Sequence, residues 1–163
     1  MYIGSSQGNA INTLAGDDTV YARSGDDIIN GGQGNDSLYG GFGSDTYFLA
    51  VGDGNDLIED NDGAADTIYF IDLNSSDILF ADTVLIDDGF DIDGALALRL
   101  TYGQNDTVSL VGSIESFKFK DGVILTADQM LARFPRIITG GGGNDLLYGG
   151  VFPELIQGGG GND

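Results

Sequence analysis

The chain has 163 residues, of which 28 are Gly and 26 are acidic, against 6 Lys or Arg, for a formal net charge of -20 at pH 7. It contains no His, Cys or Trp, so the usual zinc, iron and copper ligand sets and the Ser-His or Cys-His nucleophile pairs cannot be assembled. Nucleic acid is excluded as a partner, because phosphate recognition needs basic patches, and what remains is a chain crowded with the hard oxygen ligands that suit calcium. The predicted elements begin with a nine-residue register. Ile11–Thr19, Val20–Ile28, Ile29–Ser37 and Leu38–Thr46 each open on an aliphatic residue, carry Gly at the sixth place (Gly16, Gly25, Gly34, Gly43) and Asp at the eighth (Asp18, Asp27, Asp36, Asp45). A degenerate copy, Tyr2–Ala10, precedes them with Gln7 and Asn9 at those places, and Gly52-Asp53-Gly54-Asn55-Asp56 follows two residues out of phase.

From residue 67 Gly thins out and short apolar runs appear. Thr67–Phe70, Ile78–Phe80 and Val84–Ile86 read as strands. Ala95–Tyr102 alternates, with Leu96, Leu98, Leu100 and Tyr102 on one face, and Gly103-Gln104-Asn105-Asp106 turns it into Thr107–Val111. Phe117–Lys120 and Val123–Leu125 flank Asp121-Gly122, a two-residue hairpin signal. Thr126-Ala127-Asp128-Gln129 has capping-box spacing, so a short helix is expected to about Phe134, stopped by Pro135. The nine-residue register then returns as Ile138–Leu146, degrades at Phe152 and Glu154, and resumes at Ile156–Asp163. An ending inside a repeat suggests a piece of a longer protein.

These repeats follow the pattern G-G-x-G-x-D-x-U-x, and the sequence resembles the haemolysin-type, or RTX (repeats-in-toxin), calcium-binding family. The match is dense over residues 11–46 and 138–163, and Tyr47–Phe134, with Asp53-Gly54-Asn55-Asp56 and Asp60-Asn61-Asp62 leading to Asp66-Thr67-Ile68, resembles the segment that often follows such arrays. The resemblance implies an all-β fold. The expected architecture is a parallel β-roll (a β-helix or solenoid) over residues 1–60, then a β-rich capping unit with one short helix over 61–136. The start of a second β-roll, truncated, is expected over 137–163. It also implies a secreted, extracellular module of a larger Gram-negative bacterial protein that leaves the cell unfolded through a type I secretion apparatus. The C-terminal signal of that route is not visible, nor is an N-terminal signal peptide or an apolar run long enough to span a membrane.

The repeat carries its own physics. Nine residues hold a turn and a short strand, so one unit is half a coil and two units return the chain to the same side. Stacked coils place Ile11, Val20, Ile29 and Leu38 in a shared narrow core, while Gly permits positive φ and brings carbonyl oxygens towards one point. Loops two repeats apart then stack, and a cation between them takes carbonyls and an Asp from each. The expected carboxylate pairs are Asp18 with Asp36, Asp36 with Asp56 and Asp27 with Asp45, with Gly8 and Asn9 a weaker partner for Asp27. In the second array Asp145 pairs with Asp163, and Glu154 needs a partner beyond the end of the chain. The accompanying backbone positions are Gly16, Gly25, Gly31, Gly32, Gln33, Gly34, Gly40, Gly41, Phe42, Gly43, Gly52 and Gly54, then Gly140, Gly141, Gly143, Gly158, Gly159 and Gly161. If each stacked pair holds one ion, about four to six Ca²⁺ are expected.

The acid is almost all Asp, with Glu only at positions 59, 115 and 154, as tight turns rather than a solvated helix require. Asp87-Asp88 and Asp91/Asp93 read as a solvated loop. Phe117/Phe119 and Tyr69/Phe70 are expected in the core rather than on a carbohydrate platform, and no enzyme is expected. The alternatives are an adhesin-type module for a surface or glycan ligand, and an accessory domain of a secreted hydrolase or epimerase.

Overall fold

The computed structural model describes residues 1–60, 65–86, 95–134, 136–139, 142–144 and 154–161. From the N-terminus the chain alternates between two sheets. Strands β1 (Tyr2–Ile3), β3 (Thr19–Ser24), β5 (Ser37–Phe42) and β7 (Asn55–Asp60) lie side by side in the first, and β2 (Ala10–Asn12), β4 (Ile28–Asn30), β6 (Thr46–Leu49) and β8 (Thr67–Phe70) in the second. Every neighbouring pair among these is parallel. Parallel strands that alternate between two sheets are consistent with the winding of a β-roll.

The nine-residue phase explains the register. Ile11 faces Ile29, and Val20 faces Leu38. Ile11, Val20, Ile29 and Leu38 are all buried between the sheets, and Tyr47, Ile58 and Ile68 continue their rows. Burying one such aliphatic side chain contributes about 1.5–3 kcal/mol, so a core one side chain deep holds each coil to the next.

The turns are set by a backbone rule at the fourth place of each repeat. Leu14, Arg23, Gly32 and Gly41 have φ of 75°, 86°, 80° and 97°, all in the left-handed region. Gly32 is needed there twice over, since a Cβ would strike the Leu14 carbonyl of the loop beneath.

Residues 67–125 continue both sheets. β11 (Asp106–Gly112) pairs parallel with β7, and β10 (Ala95–Tyr102) and β9 (Ile78–Ile86) add antiparallel beyond it. β12 (Ser116–Phe119) pairs parallel with β8 and antiparallel with β13 (Ile124–Leu125). The Asp121-Gly122 hairpin forms as expected, with Gly122 at φ 82° and its N–H donating to the Phe119 carbonyl at 3.0 Å. Where two strands were expected over 78–86 there is one, because β10 pairs along its whole length. Phe70, Tyr102, Phe117 and Phe119 are buried, and the rings of Phe70 and Phe119 stack at 5.1 Å. These aromatics are core, whereas Tyr69, expected there with them, is only half-buried on the other face of β8, with Lys118 Nζ 5.0 Å from its ring centre. Asp87-Asp88 and Asp91/Asp93 lie outside the described residues.

The chain divides into two compact units, Met1–Ala127 and Asp128–Asp163. Helix α1 (Ala127–Arg133) starts directly after Thr126, as the capping spacing predicts, and buries Met130 and Leu131. In the second unit β14 (Arg136–Thr139) and β15 (Glu154–Gln157) pair in parallel with Ile138 opposite Ile156. That is the spacing of one full coil. No helix among the described residues is long and apolar enough to cross a membrane.

Candidate metal centre

The eighth-place carboxylates form two columns, one along each row of loops. In the loops that run from the first sheet to the second, Asp27 Oδ1 accepts from the Asn9 N–H at 2.5 Å and Asp45 Oδ1 from the Asp27 N–H at 2.8 Å. Asp66 Oδ1 then accepts from the Asp45 N–H at 2.8 Å, and Glu115 Oε2 from the Asp66 N–H at 2.7 Å. In the opposite loops Asp36 Oδ1 accepts from the Asp18 N–H at 2.8 Å and Asp56 Oδ1 from the Asp36 N–H at 3.0 Å. The expected pairs Asp18/Asp36, Asp36/Asp56, Asp27/Asp45 and Asn9/Asp27 are therefore neighbours. Apart from Asp18, which begins its column, each carboxylate is tied by one oxygen to the amide of the coil before it.

The loops themselves are stacked by backbone bonds. The carbonyls of Gln33, Phe42 and Asp53 accept from the N–H groups of Gly16, Gly25 and Gly34 at 2.7 Å each. A Cβ on Gly34, Gly41, Gly43 or Gly54 would strike the backbone of the loop beneath, whereas Gly16 and Gly52 face open space. At the seventh place an exposed ladder runs the other way, the Asn35 N–H donating to Asp17 Oδ1 at 2.8 Å and the Ser44 N–H to Asp26 Oδ1 at 2.9 Å.

Asp27, Asp36, Asp45, Asp56 and Asp66 are buried, while Asp18 keeps 24% of its exposure and has the Met1 amino group 3.8 Å away. Burial pushes the Asp27 and Asp36 carboxyls above the ordinary carboxylate range, and it raises Asp56 to about 7, with Asp36 and Asp53 adding repulsion. Six basic residues in the whole chain are too few to neutralise such columns.

Three residues that the nine-residue phase does not mark, Asp60, Asp66 and Glu115, complete the first column. Asp60, Asp66 and Asp45 bring carboxylate oxygens within 4.8 Å of one another in the interior. The Tyr47 hydroxyl donates to Asp60 Oδ2 at 2.7 Å. Gly40 makes the room, since a Cβ there would strike the carboxylates of Asp45 and Asp60 and the Tyr47 hydroxyl. Gly31 does the same for Asp36 on the other side. Glu115 joins through its bond to the Asp66 amide. The available signal was the alignment of Asp60 with Gly40 once Tyr39 is set opposite Glu59, and of Asp66 with Asp45 once Thr46 is set opposite Thr67.

In the second unit a Cβ on Gly161 would strike the Gly143 carbonyl, repeating the stacking of Gly34 on Gly16. Gly158 and Gly159 follow β15, with Gly159 at φ 90°. Gly140, Gly141, Asp145 and Asp163 lie outside the described residues, as does the Glu154 side chain.

The donor set can be tested against a cation directly. Asp27 Oδ2 and Asp36 Oδ2 are buried with no hydrogen-bond partner, a state that natural interiors rarely leave to protein groups alone. Every donor is a hard oxygen and the loops supply carbonyls beside them. The residues present fit calcium, which takes six to eight oxygens in flexible geometry, better than magnesium with its stricter octahedron. Stacked Gly-Asp loops with acidic columns on both sides are a donor arrangement suited to calcium. Residues 3–47 and 137–152 match the RTX calcium-binding nonapeptide repeat in four copies. The chain carries repeats of that family, and RTX nonapeptide repeats bind calcium. No curated protein matches the chain at a significant level.

Proposed function

We propose that this chain is a calcium-dependent folding module of a larger secreted protein, in which ion binding between stacked loops drives the coils together. One observation carries the reading: five Asp carboxylates of the two columns are buried in a chain of net charge -20. Like charges buried in stacked columns are costly to desolvate and repel one another, so the assembled roll needs cations where the extended chain does not. Binding free energy then becomes folding free energy.

The ligands in this reading are the eighth-place Asp residues with the loop carbonyls, joined on the first column by Asp60 and Asp66. About four to six ions serve the stacked loops. Residues 1–60 form the first roll, 61–136 carry both sheets onward and cap it, and 137–163 begin a second roll. Millimolar extracellular calcium fills weak sites of this kind, whereas low cytosolic calcium leaves them empty. The chain would thus pass a type I secretion channel unfolded and fold outside. Occurrence of RTX repeats in secreted Gram-negative proteins supports that route. The role is structural rather than catalytic.

Circular dichroism during a calcium titration tests this. The β signal and thermal stability should both rise between chelator and about 5 mM calcium, in the range of weak extracellular sites. A chain equally folded in chelator and calcium would sink the reading.

A further inference from the structure

Along the first sheet, the third place of each repeat is held by a small residue until the fourth coil. Gly4, Ala22 and Gly40 stand there in turn, and Asp60 continues the row, because Tyr39 faces Glu59 one residue before it. A carboxylate thus enters the interior at a place where the earlier coils bring none. Tyr47 departs from the pattern on the second sheet. It continues the row of Ile11 and Ile29, and Ile68 follows it, so an aromatic ring replaces an aliphatic side chain and carries a hydroxyl across the narrow core.

The two departures meet. The Tyr47 hydroxyl donates to Asp60 Oδ2 at 2.7 Å, which joins β6 of the second sheet to the end of β7 in the first. Asp45, Asp60 and Asp66 each offer a carboxylate oxygen within 4.8 Å of the others, and no other three carboxylates among the described residues do so. All three side chains and Tyr47 are buried. A Cβ on Gly40 would touch Asp45 Oδ2, the Tyr47 hydroxyl and Asp60 Oδ2 together. Gly40 has no positive φ, so glycine serves space at that point and not backbone conformation. Burial, then the neighbouring carboxylates, holds the Tyr47 phenol far above its ordinary range, and it stays a proton donor.

We propose that Asp45, Asp60 and Asp66 hold the tightest calcium ion of the described chain, with Tyr47 as the residue that positions Asp60. The proposal rests on the calcium-module reading and deepens it, by ranking the sites and by giving a role to an uncharged residue outside the ligand set. Calcium affinity is tuned by the number of charged ligands and the rigidity of the site, and here three carboxylates converge. A carboxylate fixed by a buried hydrogen bond loses little freedom on taking the ion, and supporting groups of this kind are worth about 10–100-fold in metal affinity.

The test uses the full chain, with calcium affinities from titration calorimetry and terbium emission excited through tyrosine. Asp60→Asn should abolish the tightest class of ion while the remaining ions still bind. Tyr47→Phe removes one oxygen and no volume. It should weaken the same ion about tenfold and lower the tyrosine-excited emission of the first terbium equivalent. Tyr102→Phe, which removes another buried tyrosine hydroxyl, should do neither. In the Asp60→Asn background, Tyr47→Phe should cost no further calcium affinity, because it acts through that carboxylate. An unchanged tightest ion in Asp60→Asn would overturn the site, and an equal loss from Tyr47→Phe with and without the Asp60 carboxylate would overturn the positioning role. If Asp60→Asn does not fold in calcium, the two tyrosine variants decide: equal affinity and equal emission in both defeat the proposal. A wild-type chain that binds no calcium defeats the module reading instead, so the two failures are distinguishable.

Discussion

The two columns are built from the same amide-to-carboxylate bond and differ in depth. The first runs Asn9, Asp27, Asp45, Asp66, Glu115 and is buried from Asp27 to Asp66, with Asp60 and the Tyr47 hydroxyl packed against its centre. It begins on a neutral amide, Asn9, whose Oδ1 accepts from the Ser5 N–H at 2.8 Å. The second begins at half-buried Asp18, deepens through Asp36 to Asp56, and then meets Val108. Equal spacing in sequence therefore does not mean equal electrostatic burden. The first column concentrates charge where water cannot reach, and its folding should depend more steeply on calcium.

The sharpest way to break that comparison is to fill the space at its centre. Gly40→Ala drives a methyl group into Asp45, Asp60 and Tyr47 at a position whose backbone needs no positive φ. Overpacking of this kind costs about 3 kcal/mol, and here it also displaces ligands. Calcium should no longer induce the full β signal. Gly52→Ala on the second column meets nothing within 4 Å and suffers only its φ of 93°, about 1–2 kcal/mol. Melting both variants in saturating calcium ranks them, and equal losses would mean that the first column is no tighter than the second.

Charge can be removed without changing shape. Asp45→Asn keeps an oxygen for the Asp27 N–H but relieves the interior of one carboxylate. The ion-free chain should gain about 1–3 kcal/mol, the scale of a buried charged group, and the stabilisation by calcium should shrink. Asp18→Asn, at a site with 24% exposure, should change the ion-free stability by less than about 0.5 kcal/mol and should reduce the stabilisation by calcium less than Asp45→Asn does. Denaturant titrations with and without calcium give the four values needed.

The residues of the columns differ in how legible they are in the sequence. Asp18, Asp27, Asp36 and Asp45 stand at a fixed phase, because two nine-residue units make one coil, and both the fold and the first ligands follow from it. Asp66 lies 21 residues after Asp45, and Glu115 a further 49. Neither distance fits the phase, yet both residues occupy the same column. Sheet register is fixed by strand pairing and by which face a side chain takes, while loops absorb extra residues at small entropic cost. Counting along the sequence therefore loses the column at the first insertion, although the structure does not. The antiparallel β9–β11 meander has the opposite history: the alternation of Ala95–Tyr102 and the turn at 103–106 were readable, but its addition to the same sheet depends on the parallel pairing of β11 with β7, which no local pattern announces.

Acid separates the columns further. In the ion-free fold Asp56 holds its proton to about pH 7, whereas an unfolded Asp releases it near 3.9. Between those values the folded state binds more protons, so ion-free stability is present at low pH and is lost as pH rises through 7. Calcium affinity should slope the other way, because the ligand must be deprotonated to bind. Comparing pH 5 with pH 8, the chelated chain should lose about 1–2 kcal/mol, at about 1.4 kcal/mol per pKa unit less the share relieved by solvent, and calcium should bind more tightly. Asp56→Asn should flatten both slopes. Unchanged slopes would place the titration elsewhere in the molecule.

The smallest effect expected concerns the turn rule rather than the acids. Leu14 holds φ 75° at the place where Gly32 and Gly41 stand in later repeats, and its side chain is exposed. A left-handed backbone costs a residue with a Cβ about 1–2 kcal/mol, while glycine adds about 0.5–1 kcal/mol of unfolded-state entropy. Leu14→Gly should thus raise stability by up to about 1 kcal/mol, through relief that outweighs the added freedom. The gain should be the same with and without calcium, because Leu14 is strained by the turn and not by charge. A gain confined to the calcium-bound state would instead make the fourth-place conformation a property of ion binding, and the two columns would then differ in how the backbone, as well as the carboxylates, responds to the ion.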